Sequence, residues 1–423
     1  MKKLLTIVLV FTALHAFSIN FDEYFETRTL RIDYYHAGNF NTEEYFIDEV
    51  KAEPYWGGSH VNLIDTMAYG NYFFKVFDVA SNKLIYSRGY CTLFGEWQTT
   101  PEAKQTKKSF SETVVMPYPK KNVRVEFYSR SKKGVYEKKF DYTVNVKSYF
   151  INPERKLQYP VFDAYISGDP QNCVDIVVLP EGYTADEMDK FKEDCKNFSK
   201  YLFQFDPYTK NKTKFNIRAV MAPSLESGVD IPGQHIWKKT IINSNFYTFD
   251  SERYLMTSDN KSLRDLAGNA PYDQIYIIAN SKKYGGGGIF NHYCMSVNSN
   301  SFAAKIFVHE FGHGFAGLAD EYFDSSTSYN DFYQLDIEPW EPNLTTLINF
   351  DRKWKSLLPA GTAVPTQADE EHPLQLGVYE GGGYVAKGMY RPSTDCLMHT
   401  FKGNEFCGAC KKAIQKMIDF YCQ

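Results

Sequence analysis

The spacing of apolar and polar positions divides the chain into two parts. From about residue 19 to 149, short β-branched and aromatic runs such as 72–79 and 123–128 alternate with Gly, Asn, Ser and Lys clusters, and helical periodicity is hard to find. That pattern predicts an antiparallel β-sandwich, with 140–146 as its closing strand. A linker follows at 152–159. Beyond it strands and helices alternate. The largely apolar run 174–179 suits a strand buried on both faces. Thr184 and Glu187 form a capping box, after which Met188, Phe191, Cys195, Phe198, Leu202 and Phe205 recur every three or four residues, as an amphipathic helix requires. Further strands are expected at 215–221, 274–279 and 292–297, with a glycine run at 285–288 between the last two. The expected organisation is an export segment over 1–18, a β-sandwich over 19–150 and an α/β domain over 160–423.

The export segment rests on Lys2 and Lys3, an apolar run over 4–14, and small residues at Ala16 and Ser18. No later stretch approaches the roughly 20 apolar residues of a membrane helix, so the expectation is a secreted or periplasmic protein, not an integral membrane one. Lys plus Arg number 47 against 51 Asp plus Glu, and the net charge of −4 gives no reason to expect nucleic acid or an anionic membrane as partner. Eight cysteines in an exported chain permit disulfides, and Cys396, Cys407, Cys410 and Cys422 crowd the C-terminal end, where a local staple is expected. Cys407 and Cys410 also read as half of a structural zinc site. A second such pair is lacking, so a disulfide or buried free thiols is the favoured expectation.

The chemistry centres on His309-Glu310-Phe311-Gly312-His313, preceded by the apolar residues Ala303, Ala304, Ile306, Phe307 and Val308, which suit a buried helix. Two histidines four apart face one side of a helix and can each give a nitrogen to one tetrahedral zinc. Glu310 is then placed to take a proton from the water that attacks a peptide carbonyl and to return it to the leaving amine. Gly314 and Gly317 let the helix end and the chain turn back, bringing Asp320 and Glu321 towards the metal. Asp320 is the preferred third ligand and Glu321 its rival; the bland alternative is that both carboxylates cap or pair at the surface.

These residues resemble the immunoglobulin A peptidase family of metallopeptidases, which belongs with the metzincin-type zinc proteases. The resemblance spans about 173–422 and is carried by DIVVLPEGYT at 175–184, FN at 215–216, PSLESG at 223–228, YGGGG at 284–288 and HEFGHGFAGLADEY at 309–322, then EPN at 341–343, YRP at 390–392, CLM at 396–398 and FCGAC at 406–410. It implies a metzincin-like zinc endopeptidase domain preceded by an accessory β-sandwich, with His309, His313 and a carboxylate after Gly317 as ligands and Met398 in the turn beneath the metal. The sequence departs from the usual metzincin spacing: Gly317 lies one residue later than that pattern's glycine, and an acid stands where a third histidine is common.

Oxyanion stabilisation is expected from the segment before Met398, where Tyr384, Tyr390 and Arg391 lie; Tyr390 is preferred. His399 reads as a structural residue. The glycine run reads either as an open edge where substrate adds as an extended strand or as a flexible loop. The expected function is a secreted zinc endopeptidase acting on extracellular protein or peptide, host protein included. The competing expectation is a surface recognition module for glycan or host protein with a vestigial peptidase domain.

Overall fold

The computed structural model describes residues 19–323, 332–369 and 371–422. The expected export segment lies outside the described residues. A short helix α1 (Phe21–Tyr24) leads into β1 (Phe25–Asn39) and β2 (Thr42–Glu53), which with β5 (Lys108–Pro119) form a three-stranded sheet in the order β2-β1-β5. The strands β3 (Tyr72–Asp78), β4 (Leu84–Tyr90), β6 (Val123–Arg130) and β7 (Tyr136–Val144) form a second sheet, ordered β4-β3-β6-β7. All pairings in both sheets are antiparallel. Alternate residues such as Leu30, Ile32 and Tyr34 of β1 and Phe74, Val76, Val125 and Phe127 of the other sheet share one core, which is what the period-two pattern demands. The last strand starts earlier than expected, at Tyr136, because Tyr136 to Lys138 pair with Arg130 to Tyr128 across the hairpin; it stops at Val144 instead of reaching 146.

The C-terminal region is mixed α/β. Its sheet has the order β12-β13-β11-β9-β10-β8, built from β8 (Val161–Tyr165), β9 (Val174–Glu181), β10 (Phe215–Val220), β11 (Gln274–Ala279), β12 (Gly286–Ile289) and β13 (Tyr293–Val297). The four inner strands are parallel to one another and the two edge strands antiparallel. Every residue of β9 is buried, as its largely apolar run requires of a central parallel strand. Helix α3 (Met188–Leu202) follows the Thr184/Glu187 capping box through one 3-10 turn, and it buries Phe191, Cys195, Phe198 and Leu202; Phe205 lies beyond its end. Helices α4 (Asn260–Ala267), α5 (Ala303–Ala316) and α6 (Gly408–Tyr421) and the hairpin β14 (Tyr379–Gly382) and β15 (Val385–Arg391) complete the region.

The two regions are joined by buried charge. Arg31 of β1 is buried and bonds Asp33, Glu53 and, at 2.7 Å, Asp265 of α4, which also accepts from Lys51. Breaking such a buried network typically costs about 3–5 kcal/mol, so the β-rich region is held in one position relative to α4.

Glycines 286–288 belong neither to a free loop nor to a wholly open edge. They form the edge strand β12, whose outer side is bridged at Gly286 by the segment around Tyr254, with Gly286 N–H donating to the Arg253 carbonyl. The strand is packed on both faces: a Cβ on Gly288 would stand 2.3 Å from the Glu310 carbonyl oxygen and 3.1 Å from His313 Cβ of α5, and one on Gly287 would stand 2.3 Å from the Met256 sulfur. Gly288→Ala is therefore expected to destabilise the protein by about 1–3 kcal/mol, the ordinary cost of overpacking. Gly403→Ala, where the nearest atom is 3.6 Å away, serves as the control in paired denaturation curves. Equal stabilities for the two variants would contradict the close strand–helix contact.

Candidate active site

Helix α5 supplies the first part of the site. Most of its residues are buried, and it ends at Gly317, whose left-handed conformation (φ 62°) lets the chain reverse. A side chain there would be doubly disfavoured, since a Cβ would come within 2.7 Å of Trp340. The reversal brings Asp320 back over the helix. Its Oδ1 lies 3.2 Å from His309 Nε2 and 3.3 Å from His313 Nε2, and the two nitrogens are 3.1 Å apart.

The far side of each of these groups is fixed. His309 Nδ1 lies 2.8 Å from the Leu397 carbonyl and His313 Nδ1 2.6 Å from the Leu318 carbonyl. A carbonyl only accepts, so both Nδ1 atoms carry the proton and both Nε2 lone pairs point inward. Tyr322 and Tyr384 donate to Asp320 Oδ2, at 2.8 and 2.5 Å, leaving Oδ1 to face the imidazoles. Three lone pairs thus converge at nearly equal spacing, and they require positive charge between them. A point equidistant from the three atoms lies about 1.9 Å from each, close to the length of a zinc–ligand bond, so these residues fit a zinc ion.

The field of the cluster says the same. Burial would raise the Asp320 carboxyl, but His313 and His309 hold it well below the usual carboxylate range. Burial disfavours charge on His313, yet Asp320 and Glu310 more than offset it and push the imidazole up to about 9. Either a proton or a metal ion answers that demand, and the two compete for the same lone pair. Glu310 has a carboxylate oxygen within 4.8 Å of both histidines' ligand atoms. Its carboxyl is raised by burial and by Asp320, against the lowering effect of His309 and His313.

The family model described as IgA Peptidase M64 matches residues 163–372 and 366–418, and the model described as Peptidase M64 N-terminus matches residues 20–141. The chain belongs to the IgA peptidase M64 family. The N-terminal β-rich region and the mixed α/β region that follows both accord with that membership, and a peptidase family takes protein or peptide as substrate. No curated protein matches the chain. Among the described residues no helix is long and apolar enough to cross a membrane.

The other sequence-predicted residues of this M64 peptidase fall as follows. Met398 is buried in the turn after Cys396, where the His399 and Thr400 N–H groups donate to the Cys396 carbonyl. Its sulfur lies beneath α5, 3.1 Å from where a Cβ on Gly312 would be, and its carbonyl accepts from Glu321 N–H at 2.7 Å. Glu321 is buried and turned away from the histidines: its Oε1 accepts from Asn343 Nδ2 and from the Cys410 thiol. Asp320 and Glu321 are therefore not surface caps.

Tyr390 does not reach the site. It sits on β15 with its backbone paired to Thr345 and is not among the residues lining the cleft over Glu310. The tyrosine of that hairpin that does line the cleft is Tyr384, in the left-handed conformation (φ 66°) at the β14–β15 turn, where its N–H bonds the Tyr322 carbonyl. Sequence order could not have separated the two, because a hairpin turn residue and its strand neighbours carry the same side chain and differ only in backbone geometry.

The cleft has a volume of about 460 Å³ and runs past Gly285 to Phe290, His309, Glu310, His313 and Asp320. One wall comes from the β-rich region: Asn71, Cys91, and Thr92, Gly95 and Glu96 at the start of helix α2 (Leu93–Gln98). Glu96 is hydrogen-bonded by Tyr254, and burial pushes its carboxyl up to about 7. No sequence signal marked α2 as part of the site; nothing in its local pattern reports on a partner so far along the chain. His399 also lines the cleft, stacked on Phe323.

Proposed function

We propose that this M64 family member is a zinc-dependent endopeptidase of metzincin-like architecture, exported by residues 1–18, with a β-sandwich accessory domain over 19–150 and a catalytic domain over 160–423. His309, His313 and Asp320 hold the metal and Glu310 is the general base. The observation that carries this reading is the convergence of three lone pairs, each fixed from behind by its own hydrogen bonds. Met398 in its turn beneath α5, and an edge strand beside the same helix, support the metzincin-like comparison.

When bound, zinc lowers the pKa of a water to about 7 and polarises the scissile carbonyl. The chain supplies the rest. Glu310 stands beside the histidine nitrogens, half-buried in the cleft wall, where its raised carboxyl suits both accepting and returning a proton. Extended substrate lies along the cleft that β12 lines. The hydroxyls of Tyr384 and Tyr322 orient Asp320, and of the two hairpin tyrosines Tyr384 and Tyr390 it is Tyr384 that lines the cleft.

The test is metal removal from the purified chain. Chelation is expected to abolish hydrolysis of a peptide library, and stoichiometric zinc to restore it. Since binding must displace a proton, restoration at a given free zinc should weaken as the solution is acidified. Full hydrolysis by chelated, metal-free protein would refute the reading.

A further inference from the structure

A second cluster of ligand atoms lies directly behind the first. Cys396, Cys407, Cys410 and Glu321 are all buried, and one ligand atom from each lies within 4.8 Å of the others. The Cys396 and Cys410 sulfurs are 3.9 Å apart, and Cys410 Sγ is 3.2 Å from Glu321 Oε1. All eight cysteines of the chain are free, so the expected local staple is not formed. A disulfide would in any case use two of these three sulfurs and leave the third facing a buried carboxylate. Glu321 Oε2 is buried with no hydrogen-bond partner, a costly state for a carboxylate without a cation.

We propose that Cys396, Cys407, Cys410 and Glu321 bind a structural zinc ion, distinct from the one at His309 and His313. Three thiolates and one carboxylate make a closed four-ligand set of the kind zinc takes in structural sites, and thiolate ligands select against magnesium and calcium. The Cys-x-x-Cys pair at 407–410 is half of such a site; the other half comes from two distant segments, which is why no second pair is visible in the sequence. The surroundings favour the charged ligands. Cys407 is the N-cap of α6, where the helix dipole favours a thiolate, Met398 N–H donates to Cys396 Sγ, and Asn343 Nδ2 donates to Glu321.

The position gives the ion its role. It ties together the segment that leaves α5, the Met398 turn and the start of α6. Asp320 and Glu321 are neighbours in the chain, one facing the histidines and the other facing the thiols. Asn343 braces the same segment by bonding Ala319 through both its amide atoms. The structural ion thus holds the peptide that carries Asp320 and acts on the first site by positioning, without touching substrate.

The experiment uses the full chain and the double variant His309→Ala/His313→Ala, which removes the other metal site. Elemental analysis after dialysis against zinc is expected to find two equivalents in the unmodified chain and one in the double variant. X-ray absorption on the double variant should show a sulfur shell at about 2.3 Å. Cys407→Ser/Cys410→Ser should lose that shell and one equivalent; should it fail to fold, the double-histidine variant decides alone. A folded double-histidine variant that holds no zinc overturns the proposal, as does alkylation and mass analysis of the native chain finding a disulfide among these three cysteines. Two equivalents falling to one assign both sites. One equivalent in both proteins supports the thiol site and removes the histidine site, so the two readings fail separately.

Discussion

Glu310→Gln is expected to keep the metal content of the unmodified chain and to lower peptide hydrolysis by about 10³-fold, within the 10²–10⁴ range that general acid–base catalysis contributes. That loss corresponds to about 4 kcal/mol of transition-state stabilisation. The two side chains have nearly the same size, so the cleft and the contact of β12 with α5 are undisturbed; that contact involves the Glu310 backbone carbonyl, which the substitution leaves in place. The metal content holds because the three converging atoms belong to His309, His313 and Asp320. What the amide cannot do is accept a proton and give it back. Both kcat and kcat/KM should fall together, since the lost interaction is made only in the transition state. A variant that loses its metal along with its activity would make Glu310 a ligand, and one that retains activity would remove it from the chemistry.

How much of this site could be read from the chain depended on the range of each interaction. The two histidines are one helical turn apart, so their convergence follows from local geometry, and so does the Thr184/Glu187 cap that starts α3. The fully buried strand β9 was legible for the same reason: its apolar run admits few other environments. The glycine run was legible only as one of two alternatives, a sheet edge or a flexible loop, because glycine lowers β-propensity; side chains are excluded there by α5 at Gly286 and Gly288 and by Tyr254 and Met256 at Gly287. Tyr384, Glu96 and the partnership of Cys396 with Cys407 and Cys410 depend on tertiary contacts between distant segments. The EPN stretch at 341–343 stood out only by resemblance; its physical content is Asn343, which clamps Ala319 and Glu321.

Asp320→Ala and Glu321→Gln, adjacent substitutions, should separate sharply. The readout is the free zinc needed to restore half of the hydrolytic activity to chelated protein, which follows the site where hydrolysis takes place. Loss of a hydrogen-bond partner of a ligand typically weakens metal binding by about 10–100-fold. Loss of a ligand should exceed that, so Asp320→Ala is expected to raise the half-restoring zinc by more than about 100-fold. Removing that carboxylate also deprives Tyr322 and Tyr384 of their shared acceptor, so part of the cleft wall loosens with it. Glu321→Gln leaves all three converging atoms in place, because its side chain faces Asn343 and the thiols. Its half-restoring zinc should stay within about the tenfold lower end of that range, the residual shift coming from the peptide it shares with Asp320. The reverse order, with Glu321→Gln the more damaging at this readout, would make Glu321 the ligand and would require the chain after Gly317 to turn the other way.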